Sequence, residues 1–446
     1  MQAIGKTYLK YIDLVLLENW SVQGLLDARF NYSNKYEQAR IGDFLIKSRN
    51  IVNIEDDKEY NRVTVKINNN GVILRDTEKG INIGTKKQYR AKAGQFIISK
   101  IDARNGAFGI IPNELDNAIV TNDFPLFNVN NKKINPQFLL LITTTKVFIK
   151  FAQSCSSGTT NRQRMDIDMF LNQKIPLPKL DEQDKIVSNY LSKVNEAERL
   201  KIEAENLEVE IQNYFSNQLG VKKDNILKSV KGLQLFNYSD FERWDVWTNK
   251  RNSITEKYKS LKFKDIVIGK PIYGANVKGV KRKSDTRYIR ITDINENGTL
   301  NEEFVSPEFV EEKYLLKEND FLIARSGNTV GKTFLYKEKY GRGIYAGYLV
   351  NYHLDMQKVL PEYVLEYTKS YSFKQWILSN QRIAGQPNIN GQEYLQSPII
   401  VPPINIQKSI VEKVSEIKSK IQNINLQIAL IKIETQEQFE QTIFNS

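Results

Sequence analysis

The sequence is poor in the residues on which most catalytic and metal sites depend. It has one cysteine, Cys155, and one histidine, His353, among 446 residues. A disulfide within the chain is therefore impossible, and a structural zinc site, which draws on several Cys and His ligands, cannot be built. A Cys–His or Ser–His nucleophile pair would have to use His353, which lies between apolar neighbours. We expect His353 to be a strand residue whose ring has a partner, and Cys155 to be structural.

Long apolar runs are missing as well. The longest of them, such as Ile12 to Leu17 with an aspartate inside it, fall far short of the ~20 residues that span a bilayer. The start of the chain has no basic and apolar leader with a small-residue cleavage site. We therefore expect a cytoplasmic protein without a membrane-spanning segment.

Signatures of nucleotide and methyl-transfer chemistry are absent or incomplete. Gly327 to Thr333 resembles a phosphate-binding loop, but three residues separate its glycines where the nucleotide-binding form has four. The chain has no Gly-x-Gly-x-x-Gly run, and its only Pro-Pro pair, Pro402-Pro403, lacks the flanking Asp or Asn and the aromatic residue of an amino-methyltransferase loop. We predict a protein that is not itself an enzyme, with no catalytic residues, no metal ion and no cofactor bound directly.

Positive charge is in excess and is unevenly distributed. The chain has 64 Lys and Arg against 52 Asp and Glu, a net charge of +12, which favours a polyanionic partner: DNA, RNA or an anionic membrane. Residues 1–180 carry +9 and residues 231–400 carry +6, whereas residues 181–230 carry −3 and residues 401–446 carry no net charge. This division is expected if two separate modules grip phosphates and the segments after them hold the modules apart.

The sequence repeats itself once, with an offset of 224 to 228 residues, and a repeat decides the architecture before any local pattern does. The matching runs, in order, are Glu18–Val22 with Glu242–Val246, Tyr60–Thr64 with Tyr288–Thr292, Lys92–Lys100 with Lys317–Arg325, Pro136–Phe138 with Pro361–Tyr363, and Leu177–Val187 with Val401–Val411. We predict two copies, about 1–220 and 230–446.

Each copy has two parts. Up to Pro178 in the first copy and Pro403 in the second, short β-rich runs alternate with Asn, Gly and Lys loops and with amphipathic stretches such as Pro136 to Phe151 and Pro361 to Leu378. This pattern is typical of a mixed α/β domain of the α+β class. After the prolines it changes to one long helix in each copy, with Asp181 and Glu182 in the first turn of the first helix.

Both helices carry an apolar seam. In the second helix the seam has the 4, 3 spacing of a heptad repeat and consists of Ile410, Val414, Ile417, Ile421, Ile424, Ile428 and Ile431. The seam of the first helix is noisier and consists of Tyr190, Val194, Ala197, Leu200, Ala204, Leu207, Ile211 and Tyr214. Because neither seam can stay in water, we predict that the helices, each ~60 Å long, pair as an antiparallel coiled coil within the chain. Packing of each helix on its own domain, or an intermolecular dimer, is the alternative.

Four polar loops are the candidate contacts to phosphates and bases. Ser156 to Arg164 and Arg382 to Asn390 occupy the same place in the two copies, and Lys86 to Tyr89 and Lys278 to Lys283 are basic. Their recurrence in two basic copies favours nucleic-acid binding over ordinary solvated loops. The candidate residues are Lys86, Lys87, Tyr89, Thr159, Thr160, Asn161, Arg162, Arg164, Lys278, Lys281, Arg282, Lys283, Gln386 and Asn388.

These features together resemble a known family. Two degenerate copies, each a globule followed by a long helix, with the pattern Ile-Pro-Leu-Pro-x-Leu-x-Glu-Gln from Ile175 to Gln183, resemble the specificity subunit of type I restriction-modification enzymes. The run from Phe96 to Gly109, followed by Asn122-Asp123-Phe124, is similar to the target-recognition domains of that family. The second copy departs from this run at Arg325 to Gly331, which suits a domain that reads a different sequence.

The resemblance implies a non-catalytic subunit that binds double-stranded DNA, with each globule reading one half of a split target. It adds Arg104, Asn105, Asn328 and Lys332 to the candidate DNA-binding residues. The implied partners are two methyltransferase subunits, which would bind S-adenosylmethionine and dock on the helix pair, and an ATP-dependent restriction subunit; no membrane is implied. The expected parts are residues 1–180 (first target-recognition domain), 181–228 (first spacer helix and linker), 229–403 (second domain) and 404–446 (second spacer helix).

Two other classes of function stay open at this stage. One is a stand-alone DNA methyltransferase or nuclease of unusual type, which would bind S-adenosylmethionine or Mg²⁺ by itself. The other is a non-catalytic coiled-coil scaffold whose basic charge is incidental. An affinity for DNA that falls steeply with salt distinguishes a DNA-binding subunit from such a scaffold.

Overall fold

The computed structural model describes residues 32–157, 164–221, 257–281, 284–381 and 386–444. The chain divides into two units, Met1–Arg199 with Gln427–Ser446, and Leu200–Leu426. Each unit holds one α/β domain of the repeat and part of each of two long helices. We call these domains the first and the second domain.

In the first domain, short strands alternate with short helices, as its β-rich runs and polar loops predict. The strands are β1 (Gln38–Arg40), β2 (Leu45–Lys47), β3 (Ile51–Asn53), β4 (Glu59–Val65), β5 (Val72–Lys79), β6 (Lys87–Arg90), β7 (Phe96–Ile98), β8 (Phe108–Ile110), β9 (Ile119–Val120), β10 (Leu126–Val129), β11 (Ser156–Ser157), β12 (Arg164–Met165) and β13 (Lys174–Pro176). The helices are α1 (Pro136–Thr143), α2 (Lys146–Ser154), α3 (Ile167–Asn172) and the long α4 (Leu180–Leu219).

The first domain is built on an antiparallel four-stranded sheet with the order β2-β10-β7-β8. Phe96 and Phe127 of this sheet pack on Phe170 of α3, with ring centroids 6.3 Å apart in both pairs, and all three side chains are fully buried. A five-stranded sheet, β3-β6-β9-β4-β5, adds the long β4–β5 hairpin, and β1 pairs with β13. The core of the domain therefore lies between its central sheet and its short helices.

The second domain has the same alternation of short elements. Its strands are β14 (Ser260–Lys262), β15 (Val267–Tyr273), β16 (Gly279–Lys281), β17 (Arg287–Ile289), β18 (Val305–Pro307), β19 (Phe321–Ala324), β20 (Thr333–Leu335), β21 (Gly343–Tyr345), β22 (Leu349–Leu354) and β23 (Pro398–Ile400). Its helices are α5 (Pro361–Tyr367), α6 (Tyr371–Asn380), α7 (Gly391–Tyr394) and the long α8 (Ile404–Ile443).

The duplication predicted from the sequence is visible in the sheets. The order β15-β22-β19-β20 repeats β2-β10-β7-β8, and the pair β14–β23 repeats β1–β13. The smaller sheets differ, because the second domain has an antiparallel pair β16–β18 and a parallel pair β17–β21 where the first has five strands. The two domains thus share the four-stranded sheet and one two-stranded pair, which we call the frame, and they differ in their smaller sheets.

Each predicted amphipathic stretch, Pro136 to Phe151 and Pro361 to Leu378, contains two helices. The side chain of Thr145 accepts a hydrogen bond from Phe148 N and starts α2, and Ser370 accepts one from Phe373 N and starts α6. A Ser or Thr side chain that caps a new helix ends the preceding one, because it offers the backbone a partner outside the first helix. The break lets both short helices of a domain cover its core.

One buried glutamine fastens each long helix to its domain. Gln183 accepts from Asn135 N at 2.8 Å and donates to Pro178 O at 2.8 Å. Gln407 accepts from Leu360 N at 2.8 Å and donates to Pro402 O at 2.8 Å. Both side chains are fully buried. The Gln of the repeated sequence pattern is therefore structural, and it satisfies backbone groups that are shielded from water.

The two long helices pair in antiparallel directions. In the first unit the start of α4 meets the end of α8, where the rings of Tyr190 and Phe439 lie 5.9 Å apart. In the second unit the last part of α4 lies beside the first half of α8. There the pKa of Lys420 on α8 is raised by Glu416, one turn earlier on the same helix, and by the charge of Glu210 on α4. The predicted antiparallel coiled coil is confirmed.

The predicted seam residues are buried or half-buried, except for Val194 in α4. In α8, Ile410 to Ile424 are buried at heptad spacing, and Ile428 and Ile431 are half-buried. In α4, Val194 is 44% exposed, and Phe215 rather than Tyr214 is buried. A straight helix of 3.6 residues per turn drifts away from a 3.5-residue repeat, so a heptad register drawn over the whole of α4 misplaces these positions.

Each long helix ends in the same way. In the first unit, Ser33 N donates to Ile443 O at 3.0 Å at the end of α8. In the second unit, Lys257 N donates to Leu219 O at 3.2 Å at the end of α4. Donors and acceptors are both related by the repeat offset of 224 residues. The repeat thus includes the contacts of the helix ends as well as the domains.

The cysteine lies in the first domain and the histidine in the second. Cys155 is buried at the end of α2, and burial raises the pKa of its thiol to about 12, so that it is not a thiolate at neutral pH. His353 lies in β22 with its Nδ1 3.0 Å from Oδ1 of Asp320. In the part of the chain that the structure describes, no helix has both the length and the apolar character that crossing a bilayer demands.

Candidate nucleic-acid interface

In the first domain, three backbone segments meet just after β7. Lys100 N donates to Asp123 O, and Met165 N donates to Lys100 O, both at 2.9 Å. Arg164 binds the Asp123 carboxylate through hydrogen bonds of 2.9 and 3.1 Å, and Lys100 Nζ lies 4.0 Å from it. We call Lys100, Asp123 and Arg164 the first junction. Arg164, aided by Lys100, holds the pKa of Asp123 below its usual range, so the predicted contact Arg164 is partly neutralised inside the protein.

Two polar loops adjoin the first junction. The turn that holds Arg104 and Asn105 follows it, and Asn68 N, at the tip of the β4–β5 hairpin, donates to Asn105 O at 2.7 Å. Gln153 of α2 donates to Arg104 O at 3.1 Å, just before the 156–164 loop begins. The structure therefore brings Arg104 and Asn105 together with the stem of the predicted 156–164 loop.

The basic run of β6 lies away from this cluster. Lys86 Nζ donates to Asp56 Oδ1 at 2.5 Å and to Gly80 O at 2.7 Å, at the end of the hairpin opposite its tip. The strands between are seven and eight residues long, or about 20 Å at the usual rise per residue. Lys87 is exposed and Tyr89 is half-buried. A role of these three residues in DNA binding stays a prediction for a separate part of the surface.

The second domain has a junction with the same backbone and other side chains. Arg325 N donates to Tyr348 O, and Ile389 N donates to Arg325 O, both at 3.0 Å. Arg325, Tyr348 and Asn388, which we call the second junction, stand 225, 225 and 224 residues after the members of the first. The order Lys, Asp, Arg is thus replaced by Arg, Tyr, Asn at equivalent positions.

Two tyrosine rings hold the guanidinium of the second junction. Arg325 Cζ lies 5.1 Å from the ring centroid of Tyr273 and 5.8 Å from that of Tyr348, within the range of cation–π attraction. These residues line a groove of about 870 Å³ that also includes Asn276, Arg290 and Gly347. Arg290 is held by Asp293 through hydrogen bonds of 3.1 and 2.7 Å.

Two further predicted residues lie beside the second junction. Gly327 N donates to Pro387 O at 2.9 Å, and a Cβ on Gly327 would lie 3.0 Å from Gln386 Nε2. Asn328 follows in the same turn, and both it and Gln386 are exposed. The structure therefore gathers Asn328, Gln386 and Asn388 around the Arg325 turn, with their amides available to acceptors and donors on base edges.

The predicted lysines of the second domain lie in different settings. Lys332 Nζ is 2.9 Å from Glu296 Oε1 and 3.3 Å from Ile294 O, so its charge is partly used inside the domain. Lys278 and Lys281 are exposed at β16, and Lys278 stands between two residues that line the groove. Six predicted residues lie outside the described part of the chain, namely Thr159, Thr160, Asn161, Arg162, Arg282 and Lys283.

Several residues of this region are not predicted by the sequence patterns. Asn68, Asn69 and Asn70 are exposed at the hairpin tip, and Asn68 and Asn69 have φ values of 57° and 58°, which a short polar side chain tolerates. Three consecutive asparagines were a visible turn signal. Arg325 stands in the run from Arg325 to Gly331, where the second copy differs from the first, but it was not predicted as a contact. The two tyrosines that hold it come from distant segments of the chain.

Comparisons with known proteins agree with this architecture. Residues 34–213 and 255–433 each match the family model described as the type I restriction modification DNA specificity domain. No curated protein matches the chain. A solved chain described as "Structural basis underlying complex assembly and conformational transition of the type I R-M system" is 15% identical with a TM-score of 0.59, covering 93% of this chain and 99% of that one.

Two other solved structures are similar to the chain. The HsdS subunit from Thermoanaerobacter tengcongensis is 14% identical with a TM-score of 0.43, covering 93% of this chain and 97% of that one. The type I restriction-modification S subunit from M. genitalium is 10% identical with a TM-score of 0.47, covering 93% and 98%. The family model, by contrast, covers most of the chain in two tandem matches, one for each domain. The chain therefore belongs to the type I restriction-modification DNA specificity family, as a DNA specificity subunit with two tandem domains.

Proposed function

We propose that each domain reads one half of a split DNA target and that the chain itself carries out no catalysis. The observation that supports this is the pair of junctions: one backbone arrangement carries Lys100, Asp123 and Arg164 in the first domain, and Arg325, Tyr348 and Asn388 in the second. Two readers of different sequences need the same placement on DNA and different groups at the base edges.

The long helices would act as a spacer between the half-sites. Both α4 and α8 have 40 residues, which is ~60 Å at ~1.5 Å per residue. A rigid spacer converts its length into a half-site separation measured in DNA turns of ~34–36 Å. A matched four-residue insertion near Ala204 of α4 and near Ile424 of α8 should lengthen the unread spacer by about two base pairs and leave both half-site sequences intact. A change in the half-site bases would contradict the spacer role.

The proposed protein partners are two methyltransferase subunits and an ATP-dependent restriction subunit, with S-adenosylmethionine bound by the methyltransferases, in the cytoplasm. Apolar side chains on the helices support docking of a protein. In the first unit Leu430 and Ile433 are 57% and 55% exposed, and in the second unit Ile202 and Val209 are 51% and 54% exposed. Exposed apolar groups that recur along a helix mark interaction surfaces when they form a patch.

The test is a methylation map of DNA exposed to this chain assembled with its methyltransferase subunits. We expect one split motif with two defined halves and an unread spacer. The purified chain alone should bind duplex DNA with a steep salt dependence and transfer no methyl group. Methyl transfer or cleavage by the chain without partners would contradict the non-catalytic role, and a single continuous motif would contradict one half-site per domain.

A further inference from the structure

The groove of the second domain contains an arginine, Arg325, whose side chain makes no hydrogen bond to the described residues. Among the described residues, none accepts a hydrogen bond from the Arg325 side chain, and no carboxylate lies within ion-pair distance of it. Its Nε is buried without a partner. A ligand in the groove cannot reach this enclosed atom, but the two terminal nitrogens of the guanidinium are not enclosed, and they are the donors that an acceptor on a ligand can meet.

The neighbouring arginine shows the contrast. Arg290 lines the same groove, but two hydrogen bonds to Asp293 and an ion pair with Glu303 at 3.2 Å occupy its guanidinium. Asp293 is 1% exposed. Arg290 is therefore part of the wall, whereas Arg325 faces the groove with donors to spare.

Arg325 is also held in place. Tyr273 lies on one part of its surface and is itself fixed, because its hydroxyl accepts a hydrogen bond from Gly391 N at 3.0 Å. Tyr348 lies on another part and is 55% exposed, so it extends the ring surface to the mouth of the groove. A guanidinium stacked in this way loses little freedom when it forms two parallel hydrogen bonds.

We propose that Arg325 is a specificity-determining residue that reads a guanine in the half-site of the second domain, with Tyr273 and Tyr348 as positioning residues. This inference rests on the proposed function. A held, forked donor pair matches O6 and N7 of guanine in the major groove. A phosphate contact needs only charge, which the exposed Lys278 beside the groove can supply without a fixed orientation.

The experiment uses the assembled modification complex and a library of duplexes with both half-sites randomised one position at a time. Wild-type protein, Arg325→Gln, Arg325→Lys and Tyr348→Leu are compared by competition binding. Arg342→Gln is the matched control, because Arg342 is an exposed arginine of the same domain that does not line the groove. We expect Arg325→Gln and Arg325→Lys to lose roughly 5- to 150-fold of discrimination at one G·C pair. Tyr348→Leu should lose part of it, and the control none.

The outcomes separate the inference from the function on which it rests. If the wild-type complex selects no split motif, the proposed function fails, whatever Arg325 does. If it selects a split motif and Arg325→Gln selects the same motif with equal stringency, Arg325 reads no base. A uniform loss of affinity with a shallower salt dependence in Arg325→Gln, restored by Arg325→Lys, identifies a phosphate contact and overturns the inference. Continued reading of the other half-site shows that a variant complex is folded.

Discussion

The two junctions share a backbone and differ in how they handle charge. In the first, Arg164 and Lys100 face the single carboxylate of Asp123, so one of their two positive charges is balanced within the protein. In the second, the guanidinium of Arg325 faces two aromatic rings, and no carboxylate of the described residues lies within ion-pair distance of it. The backbone hydrogen bonds of both junctions involve only main-chain atoms. The same backbone frame therefore accommodates two different sets of side chains, and the two copies can diverge in what they read without changing how they fold.

The frames themselves should respond alike to matched substitutions, beginning with the aromatic contacts of the helix ends. Phe439 of α8 packs on Phe138 in the first unit, with ring centroids 6.5 Å apart, and Phe215 of α4 stacks on Tyr363 in the second, with centroids 5.9 Å apart. Both phenylalanines are at most 4% exposed. We expect Phe439→Ala and Phe215→Ala each to lower the free energy of unfolding by ~3–5 kcal/mol, as measured by urea denaturation. If one variant were near wild type, the helix ends would not be equivalent.

The buried glutamines provide the next comparison. Gln183→Met and Gln407→Met keep roughly the same side-chain volume. Each removes the partners of one backbone N–H, at Asn135 or Leu360, and of one backbone carbonyl, at Pro178 or Pro402. We expect each to cost about 2–4 kcal/mol, with a lower midpoint of thermal unfolding. The control is Gln438→Met, because Gln438 is exposed on α8, and this variant should have nearly the wild-type midpoint of thermal unfolding. Near-wild-type stability in either buried variant would mean that water replaces the amide.

These shared features are the ones that the sequence predicted well. Repetition of Gln183 as Gln407 at a fixed offset, with apolar seams after both, identified the duplication, the long helices and their pairing. Local patterns carry this information, because heptad spacing and proline punctuation act within a few residues. The break inside each amphipathic stretch was not predicted, since a single Thr145 or Ser370 ends a helix that the apolar spacing would continue.

The side chains available to contact DNA were harder to predict from the sequence than the fold, for a physical reason. Whether an arginine is available to a ligand depends on which residues face it, and those come from distant segments. Arg164 is neutralised by Asp123, 41 residues away in the chain, while Arg325 stacks on rings from two different segments. No spacing rule marks either situation. Predicted contacts such as Lys86 and Lys332 likewise have carboxylate neighbours that only the fold brings close.

Placing the carboxylate of the first junction into the second tests the comparison directly. Tyr348→Asp puts an acid at the position equivalent to Asp123, where it should pair with Arg325 and remove one ring from it. We expect a loss of roughly 5- to 150-fold of discrimination in one half-site, with the other half-site unchanged, in competition binding by the assembled complex. Tyr348→Phe keeps the ring and should retain discrimination. Equal behaviour of the two variants would show that Tyr348 does not position Arg325.

Removing the carboxylate of the first junction is the reverse change, with the smallest expected effect. Arg164 lowers the pKa of Asp123, so the pair stabilises the fold above the unfolded-state pKa of ~3.9, and this stability is lost as the pH falls through the lower folded-state value. For a half-exposed arginine we expect less than about 1 kcal/mol. Asp123→Asn should therefore reduce stability slightly at pH 7 and flatten the acid limb of the stability curve.

The same variant should strengthen DNA binding, because it frees the charges of Arg164 and Lys100. If one of them then meets a phosphate, the slope of log affinity against log salt steepens by about 0.9. Asp57→Asn is the matched control, since it makes the same charge change at an exposed aspartate of the same domain, and it should alter the slope less. Slopes measured by titrating a fixed duplex over a range of salt decide the matter. If Asp123→Asn and the control gave the same slope, the cations of the first junction would lie away from the DNA, and the two junctions would differ in function as well as in charge.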